Sequence, residues 1–321
     1  MATHGAIRWG LLSTARINRL VLVGARDAVG VAIAAVASRD LERAQAYARE
    51  HDIRRVHGSY EALLADDEID AVYISLPNSL HHLWTMRALD AGKHVLCEKP
   101  YSRHAAEVEE AFDAADAAGL VLSEAFMWRH HLQTRRLVEL LPQIGELQTI
   151  RATFAFPLGD LTNVRMLPEL DGGALMDVGC YCVNASRLLA GEPDRVYGEQ
   201  VIGPSGVDVR YTGLLHFPSG VVAEFTSSFT FAHQGLEAIG TDGTIVIGDP
   251  WHAREPGFEV NGSRVEIERA NSYRLQLENI SAAIRGDAQV LLGRADALGQ
   301  ARTIAALYVA ATESGRSETV G

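Results

Sequence analysis

The sequence predicts an α/β protein in two parts, a doubly wound parallel sheet followed by an open, mainly antiparallel sheet domain. Three observations predict it. Short, mainly apolar runs alternate with helical stretches through the first 124 residues, the rhythm of βαβ units. From Leu147 onward the pattern changes to an alternation of period two. The length, 321 residues, exceeds one ordinary hydrophobic core. The expected division is residues 1–124 for the parallel-sheet domain and 125–321 for the antiparallel-sheet domain, with a last helix over 295–312 packing back across them.

The first element is Ala6-Ile7-Arg8-Trp9-Gly10-Leu11-Leu12, an apolar strand running into Ser13-Thr14-Ala15-Arg16-Ile17 and a helix through Gly24. Strand, tight turn and helix are the setting for a phosphate-binding turn. The glycine fingerprint is degraded: Gly10 holds its first position, Leu12 its second and Ala15 its third. Ser13 and Thr14 are expected to compensate with backbone and hydroxyl groups.

The second strand, Ala32 to Ala37, ends in Ser38-Arg39-Asp40. A planar cation here accommodates a ribose 2′-phosphate, whereas an acidic residue would bind the free 2′-hydroxyl. Arg39 thus points to NADP. The competing reading makes Asp40 the ribose ligand and gives NAD; Asp40 also serves as the N-cap of a helix over Leu41 to His51.

Further strands follow at Arg55 to Tyr60, Asp70 to Leu76, Val95 to Cys97 and Leu120 to Ser123, with helices between them. Two of these runs end abruptly in polar residues, Leu76-Pro77-Asn78 and Cys97-Glu98-Lys99-Pro100. In open α/β sheets the ligand sits beyond the carboxyl ends of the strands, so Glu98 and Lys99 fall where a ligand would be. The plainer reading of Lys99 is a solvated lysine at a strand end. The adjacent His81 and His82 point different ways on a helix and make a poor metal pair. Trp128 and Arg129, just past the last strand, lie above the expected cofactor position; an ion pair is the plainer role for Arg129.

In the second half, Thr149 to Phe156 alternates, and Arg210–Phe217 joins Val221–Thr230 through Pro218-Ser219-Gly220. A second hairpin turns at Asp242-Gly243. One uncovered face of such a sheet suits a homodimer or homotetramer. Between these strands lies Gly172-Gly173-Ala174-Leu175-Met176-Asp177-Val178-Gly179-Cys180-Tyr181, read as a helix continuing through Leu189. Asp177 and Tyr181 are four apart and share one face. With Lys99 opposite, a carboxylate and a phenol form a proton-transfer set, because a nearby ammonium lowers the phenol pKa. Without Lys99, Tyr181 would read as a core residue and Asp177 as a cap.

Composition narrows the alternatives. A net charge of -12 argues against nucleic acid as the main partner. No apolar run approaches a membrane span, and Met1 to Gly10 does not read as a signal peptide. The three cysteines, Cys97, Cys180 and Cys182, suggest a reducing, cytoplasmic setting without a disulfide framework. Cys180-x-Cys182 lacks zinc-knuckle spacing, and no metal is expected.

Taken together, Gly10 to Ile17, Ala37-Ser38-Arg39, Leu76-Pro77-Asn78, Ala91 to Pro100, Glu124 to Arg129 and Gly172 to Tyr181 resemble the glucose–fructose oxidoreductase / inositol dehydrogenase family, also called Gfo/Idh/MocA. The resemblance implies a Rossmann domain with an open sheet domain, assembled as a dimer or tetramer. It places Lys99 by the nicotinamide and the substrate hydroxyl, often with a cis Lys-Pro bond. Tyr181, where many members carry His, matches an NADP-dependent subgroup acting on sugars and dihydrodiols. The departures are Leu12, Tyr101 and Leu132. The expected function is an NADP-dependent dehydrogenase or reductase of a sugar or polyol. Lys99, Tyr181 and Asp177 would be catalytic, and Arg129 would join them at the substrate. Gly10, Ser13, Thr14, Ala15, Arg16, Ile17, Ser38, Arg39 and Tyr60 would bind the dinucleotide's phosphate and adenosine side. Leu76, Pro77, Asn78, His81, Glu98, Lys99, Trp128 and Arg129 would line its nicotinamide side. The alternatives are an aromatic trans-dihydrodiol substrate, with Trp128 and Trp251 lining the pocket, and a non-catalytic NADP-dependent sensor.

Overall fold

The computed structural model describes residues 5–312 and 318–320. The chain divides into two compact units. The first comprises Met1–Ser102, Ala106–His130 and Asn271–Ala297; the second comprises Arg103–Ala105, His131–Ala270 and Leu298–Gly321.

The first unit carries a six-stranded parallel sheet in the order β3-β2-β1-β4-β5-β6. Its strands are β1 (Ile7–Leu12), β2 (Val31–Ala37), β3 (Arg55–His57), β4 (Ala71–Ile74), β5 (His94–Cys97) and β6 (Leu122–Glu124). Between them run α1 (Asn18–Arg26), α2 (Leu41–His51), α3 (Tyr60–Leu64), α4 (His81–Asp90) and α5 (Ala105–Ala118). The strand order reverses at β1, next to β4, the topological switch at which doubly wound sheets bind ligands. Strands buried on both faces need continuous apolar runs, and all four residues of β4 are buried.

A late segment completes this unit. Helix α8 (Ser272–Ile284) contributes Leu277 and Ile280 to the cluster of Trp9, Val36, Tyr73 and Leu96. Burying each such aliphatic side chain stabilises by about 1.5–3 kcal/mol. The Trp9 indole donates to Ser281 Oγ at 3.1 Å. Gly24 allows α1 to approach: a Cβ there would lie 2.7 Å from the Arg274 backbone nitrogen. The sequence pattern predicted no helix here.

The second unit carries nine strands in the order β14-β13-β12-β11-β7-β10-β9-β8-β15. They are β7 (Leu147–Ala155), β8 (Arg195–Ile202), β9 (Asp208–His216), β10 (Val222–Ser228), β11 (His233–Gly240), β12 (Thr244–Ile247), β13 (Gly257–Val260), β14 (Ser263–Glu266) and β15 (Glu318–Thr319). Both hairpins form as expected: β9 pairs with β10, and β11 with β12, antiparallel. The sheet is mixed, however, because β7 pairs parallel with β10. Helices α6 (Leu132–Leu140), α7 (Cys180–Ala190) and α9 (Arg294–Thr312) accompany it. The unit boundary falls inside α9, after Ala297. No helix among the described residues is long and apolar enough to cross a membrane.

Candidate active site

The polar residues singled out in the first unit gather at the carboxyl ends of its strands. After β1, Ser13 turns the chain with φ 136, outside the range most side chains prefer. Its hydroxyl accepts from the Ala15 N–H at 3.1 Å and lies 2.8 Å from the Ser75 hydroxyl, joining the ends of β1 and β4. The Asn18 side chain donates to the Ser13 carbonyl at 2.8 Å. Gly10 is required by packing: a Cβ would lie 2.7 Å from Leu63 and 3.2 Å from Ile69. Leu12, at the second fingerprint position, is fully buried.

Helix α1 starts without a side-chain cap or an acidic residue in its first turn, whereas Asp40 caps α2 and Ser59 caps α3. An uncapped, uncharged helix start suits an anion, which the N–H groups and the macrodipole favour. Beside it lies a cavity of about 330 Å³ lined by Thr14, Ala15, Arg16, Arg19, Arg43, Ala46, Tyr47 and Glu50. Arg16 is exposed and Ile17 half-buried.

At the end of β2, the buried Ser38 accepts from the Asp40 N–H at 3.2 Å, and Arg39 is exposed. Burial pushes the Tyr60 phenol above its usual pKa, while Arg39, hydrogen-bonded to it, and Arg43 pull the other way. Tyr60, Arg39 and Arg43 thus stand around one point. Arg43 was missed from the sequence. Its signal was its spacing, four residues after Arg39 in the first turn of α2. Asp40 is engaged as the cap of α2, accepting from the Arg43 N–H at 3.1 Å.

The ends of β4 and β5 are tied together by His81. Its Nε2 lies 2.9 Å from the Leu76 carbonyl oxygen and its Nδ1 3.0 Å from that of Pro100. The ring is fully buried, and burial pushes its pKa down. His82 points elsewhere, toward the Tyr101 hydroxyl at 3.1 Å and Glu110 at 3.2 Å. Pro77 and Asn78 are half-buried at the mouth of this loop. Glu98 accepts from the Tyr73 hydroxyl and, at 3.2 Å, from the Lys99 N–H. Lys99 is half-buried, and its bond to Pro100 is cis. Trp128 is buried, and Arg129 pairs with Asp296 at 3.0 Å while lying 6.0 Å from the Trp128 ring centre.

In the second unit the candidate groups stand on one helical segment. Its first turns, Leu175–Gly179, are π-helical, and α7 continues from Cys180. A regular helix was expected here; wide turns of this kind often accompany functional sites. Gly179 lets the segment press on β10, since a Cβ there would lie 2.8 Å from Ser227 Oγ. Asp177 accepts from Arg165 Nε at 2.7 Å, a partner for which the sequence held no signal. Tyr181 is 8% exposed and meets Phe154 edge-on at 5.3 Å and Trp251 at 5.9 Å. Trp251 stacks on Phe154 and donates to the Thr153 carbonyl at 2.9 Å.

The two units match known proteins along most of the chain. An oxidoreductase family described by its NAD-binding Rossmann fold matches residues 9–126, and the GFO/IDH/MocA C-terminal domain matches residues 132–246. The chain belongs to the Gfo/Idh/MocA oxidoreductase family. Among its relatives is D-xylose 1-dehydrogenase (NADP(+)) 2 of Haloferax volcanii, 41% identical over 94% of this chain and 97% of that protein. A trans-1,2-dihydrobenzene-1,2-diol dehydrogenase of Xenopus laevis is 36% identical over 75% of each chain. Among solved structures, an aldose-aldose oxidoreductase from Caulobacter crescentus, complexed with glycerol, aligns with TM-score 0.91 at 27% identity over 98% of this chain and 99% of that one. The Gfo/Idh/MocA assignment accounts for both sheets and for the order of the motifs along the chain.

Proposed function

We propose that the protein is an NADP-dependent dehydrogenase or reductase acting on a sugar or polyol, moving a hydride between a carbinol carbon and nicotinamide C4. The observation that carries the reading is that Lys99, at the end of β5, and Tyr181, at the start of α7, both stand in a chain that matches a D-xylose 1-dehydrogenase (NADP(+)) along nearly its whole length. When bound, the dinucleotide supplies the redox chemistry. Ser13, Thr14, Ala15, Arg16 and Ile17, around the uncapped start of α1, would hold its pyrophosphate. Ser38, Arg39 and Tyr60, joined by Arg43, would hold the 2′-phosphate, a fork-shaped cation being suited to phosphate oxygens. Leu76, Pro77, Asn78 and Glu98 would line the nicotinamide side, with His81 holding the two loops together from behind, and with Trp128 and Arg129 above.

In the chemical step Tyr181 moves the hydroxyl proton of the substrate. Lys99 would orient that oxygen. Asp177, paired with Arg165, would order a substrate hydroxyl. Substrate binding and assembly as a homodimer or homotetramer are assigned to the second unit, where Val201, Leu214 and Val246 expose apolar surface on β8, β9 and β12. A cytoplasmic location is supported by the sparse cysteine set, Cys97, Cys180 and Cys182, all buried.

A second reading, an aromatic trans-dihydrodiol as substrate, is favoured by the Phe154–Trp251 stack beside Tyr181. The test is to assay wild type, Lys99→Met and Tyr181→Phe by NADPH absorbance against aldoses, polyols and a trans-dihydrodiol. Each variant is expected to lose about 10²–10⁴-fold in kcat. Near wild-type turnover in either one overturns the assignment. A wild type that binds NADP but turns over none of these substrates points instead to a sensor.

A further inference from the structure

A buried carboxylate holds the helical segment of Asp177 and Tyr181 from the neighbouring sheet. Asp208 begins β9 and is 3% exposed. Its Oδ2 accepts from the Leu175 N–H at 2.7 Å, at the first residue of the π-helical turn. Its Oδ1 accepts from the Tyr308 hydroxyl at 3.1 Å. Gly173 makes room: its φ is +122, and a Cβ would lie 2.2 Å from Asp208 Oδ1. Tyr308 is braced in turn. The Arg103 guanidinium lies 5.3 Å from its ring centre and pairs with Asp171 at 2.9 Å, two residues before Gly173. Tyr211 meets Tyr308 edge-on at 6.1 Å and donates to the Leu307 carbonyl.

A helix normally takes its cap from the residue at its own start. Here Ala174, at that position, has no polar side chain to offer, and a residue distant in sequence supplies the acceptor. The result fixes the axial position of the helix relative to the sheet, not only the end of the helix. Leu175 is two residues from Asp177 and six from Tyr181, so a shift at the anchor is carried to both.

We propose that Asp208 is a positioning residue: by bonding the Leu175 N–H across the sheet, it sets the pose of Asp177 and Tyr181. This rests on the reading of Tyr181 as the proton-transfer group. The test combines steady-state kinetics with amide hydrogen exchange of the full-length protein, using NADP⁺ and D-xylose as probes. Misplacing a reacting group by a fraction of an ångström to an ångström costs one to two orders of magnitude. Asp208→Ala is therefore expected to lower kcat at least about tenfold, to leave KM for NADP⁺ within about twofold, and to speed exchange across residues 174–178. Asp208→Asn keeps one oxygen acceptor and is expected to restore kcat to within about threefold of wild type.

Wild-type kcat and exchange in Asp208→Ala overturn the proposal, as does an Asp208→Asn protein no better than Asp208→Ala. Should Asp208→Ala fail to fold, Tyr308→Phe removes only the brace on Oδ1; it must speed the same exchange and lower kcat, and an unchanged protein overturns the proposal. Tyr181→Phe is run in parallel. If it retains wild-type turnover, the proton-transfer reading fails while the exchange result stands. If it is inactive while Asp208→Ala exchanges normally, only the positioning role fails.

Discussion

The two units hold their polar groups in opposite ways. In the first, Ser13, Ser38 and Glu98 stand at strand ends, each anchored by short local hydrogen bonds, and Arg16 and Arg39 reach into solvent. The strands beneath them are largely buried, with all four residues of β4 inside. In the second, Asp177 and Tyr181 ride on a helical segment pressed onto β10, and the same contacts that shape the core also aim the side chains. Loops on a rigid scaffold separate function from stability. A helix jammed against a sheet joins them, so substitutions in the two units should differ in kind.

The largest expected effect is at Gly173. Alanine there meets both a left-handed φ of +122 and the Asp208 carboxylate at 2.2 Å. Backbone strain and overpacking of a buried polar group add, and Gly173→Ala should cost more than about 3 kcal/mol in urea denaturation. Gly92, which ends α4 in the first unit, has φ +71, and nothing lies within 4 Å of the point a Cβ would take. Gly92→Ala should cost only about 1 kcal/mol. Equal losses at the two glycines would break the contrast.

That contrast also explains what the sequence disclosed. In the first unit the apolar runs ending in polar residues disclosed the strands and placed the candidate residues at their ends, because period and position coincide there. Ser13, Ser38, Arg39, Glu98 and Lys99 fall at strand ends as read. In the second unit the alternating pattern gave the hairpins but not the parallel pairing of β7 with β10, since a strand's face pattern says nothing of its neighbour's direction. The π-helical turn left no trace because its hydrogen bonds shift by one residue while the apolar spacing barely changes. Helix α8 and the bonds of Arg165 and Asp208 were hidden for another reason: no local pattern reaches their partners, which lie 12 residues away for Arg165 and further for the others. Leu277 packs in the cluster of Trp9, and Asp208 bonds a residue 33 positions before it.

The next effect in size concerns pH. Burial pushes the Asp208 carboxyl up to about 6 from an ordinary 3.8, against the bonds it accepts from Leu175 and Tyr308. A carboxyl whose folded pKa is raised stabilises the fold in its neutral form. That contribution is complete below about pH 4 and is lost as pH rises through about 6. Two pKa units correspond to about 3 kcal/mol. Asp208→Asn stays neutral throughout. The stability of wild type relative to this variant should therefore fall by about that amount between pH 4 and pH 7, measured by urea denaturation at each pH. A difference that is flat across this range would show that Asp208 is not held as described.

The smallest effect on stability, and the sharpest statement of the contrast, is expected at Arg39. Its side chain is exposed, and it follows a serine whose own hydrogen bond goes to Asp40. Removing it takes no apolar contact from the core and only its bond to the Tyr60 phenol, so Arg39→Ala should unfold within about 1 kcal/mol of wild type. Its effect should appear in cofactor choice. A charge-assisted bond to phosphate contributes about 1.5–3 kcal/mol, so kcat/KM for NADP⁺ should fall roughly 10- to 100-fold, while that for NAD⁺, which lacks the 2′-phosphate, changes little. Arg43, which shares the same point around Tyr60, sets the residual preference. If Arg39→Ala instead lowers stability and leaves NADP⁺ kinetics intact, the strand-end loops of the first unit are structural. The separation between a tolerant strand-end rim and a rigid helical segment would then be lost.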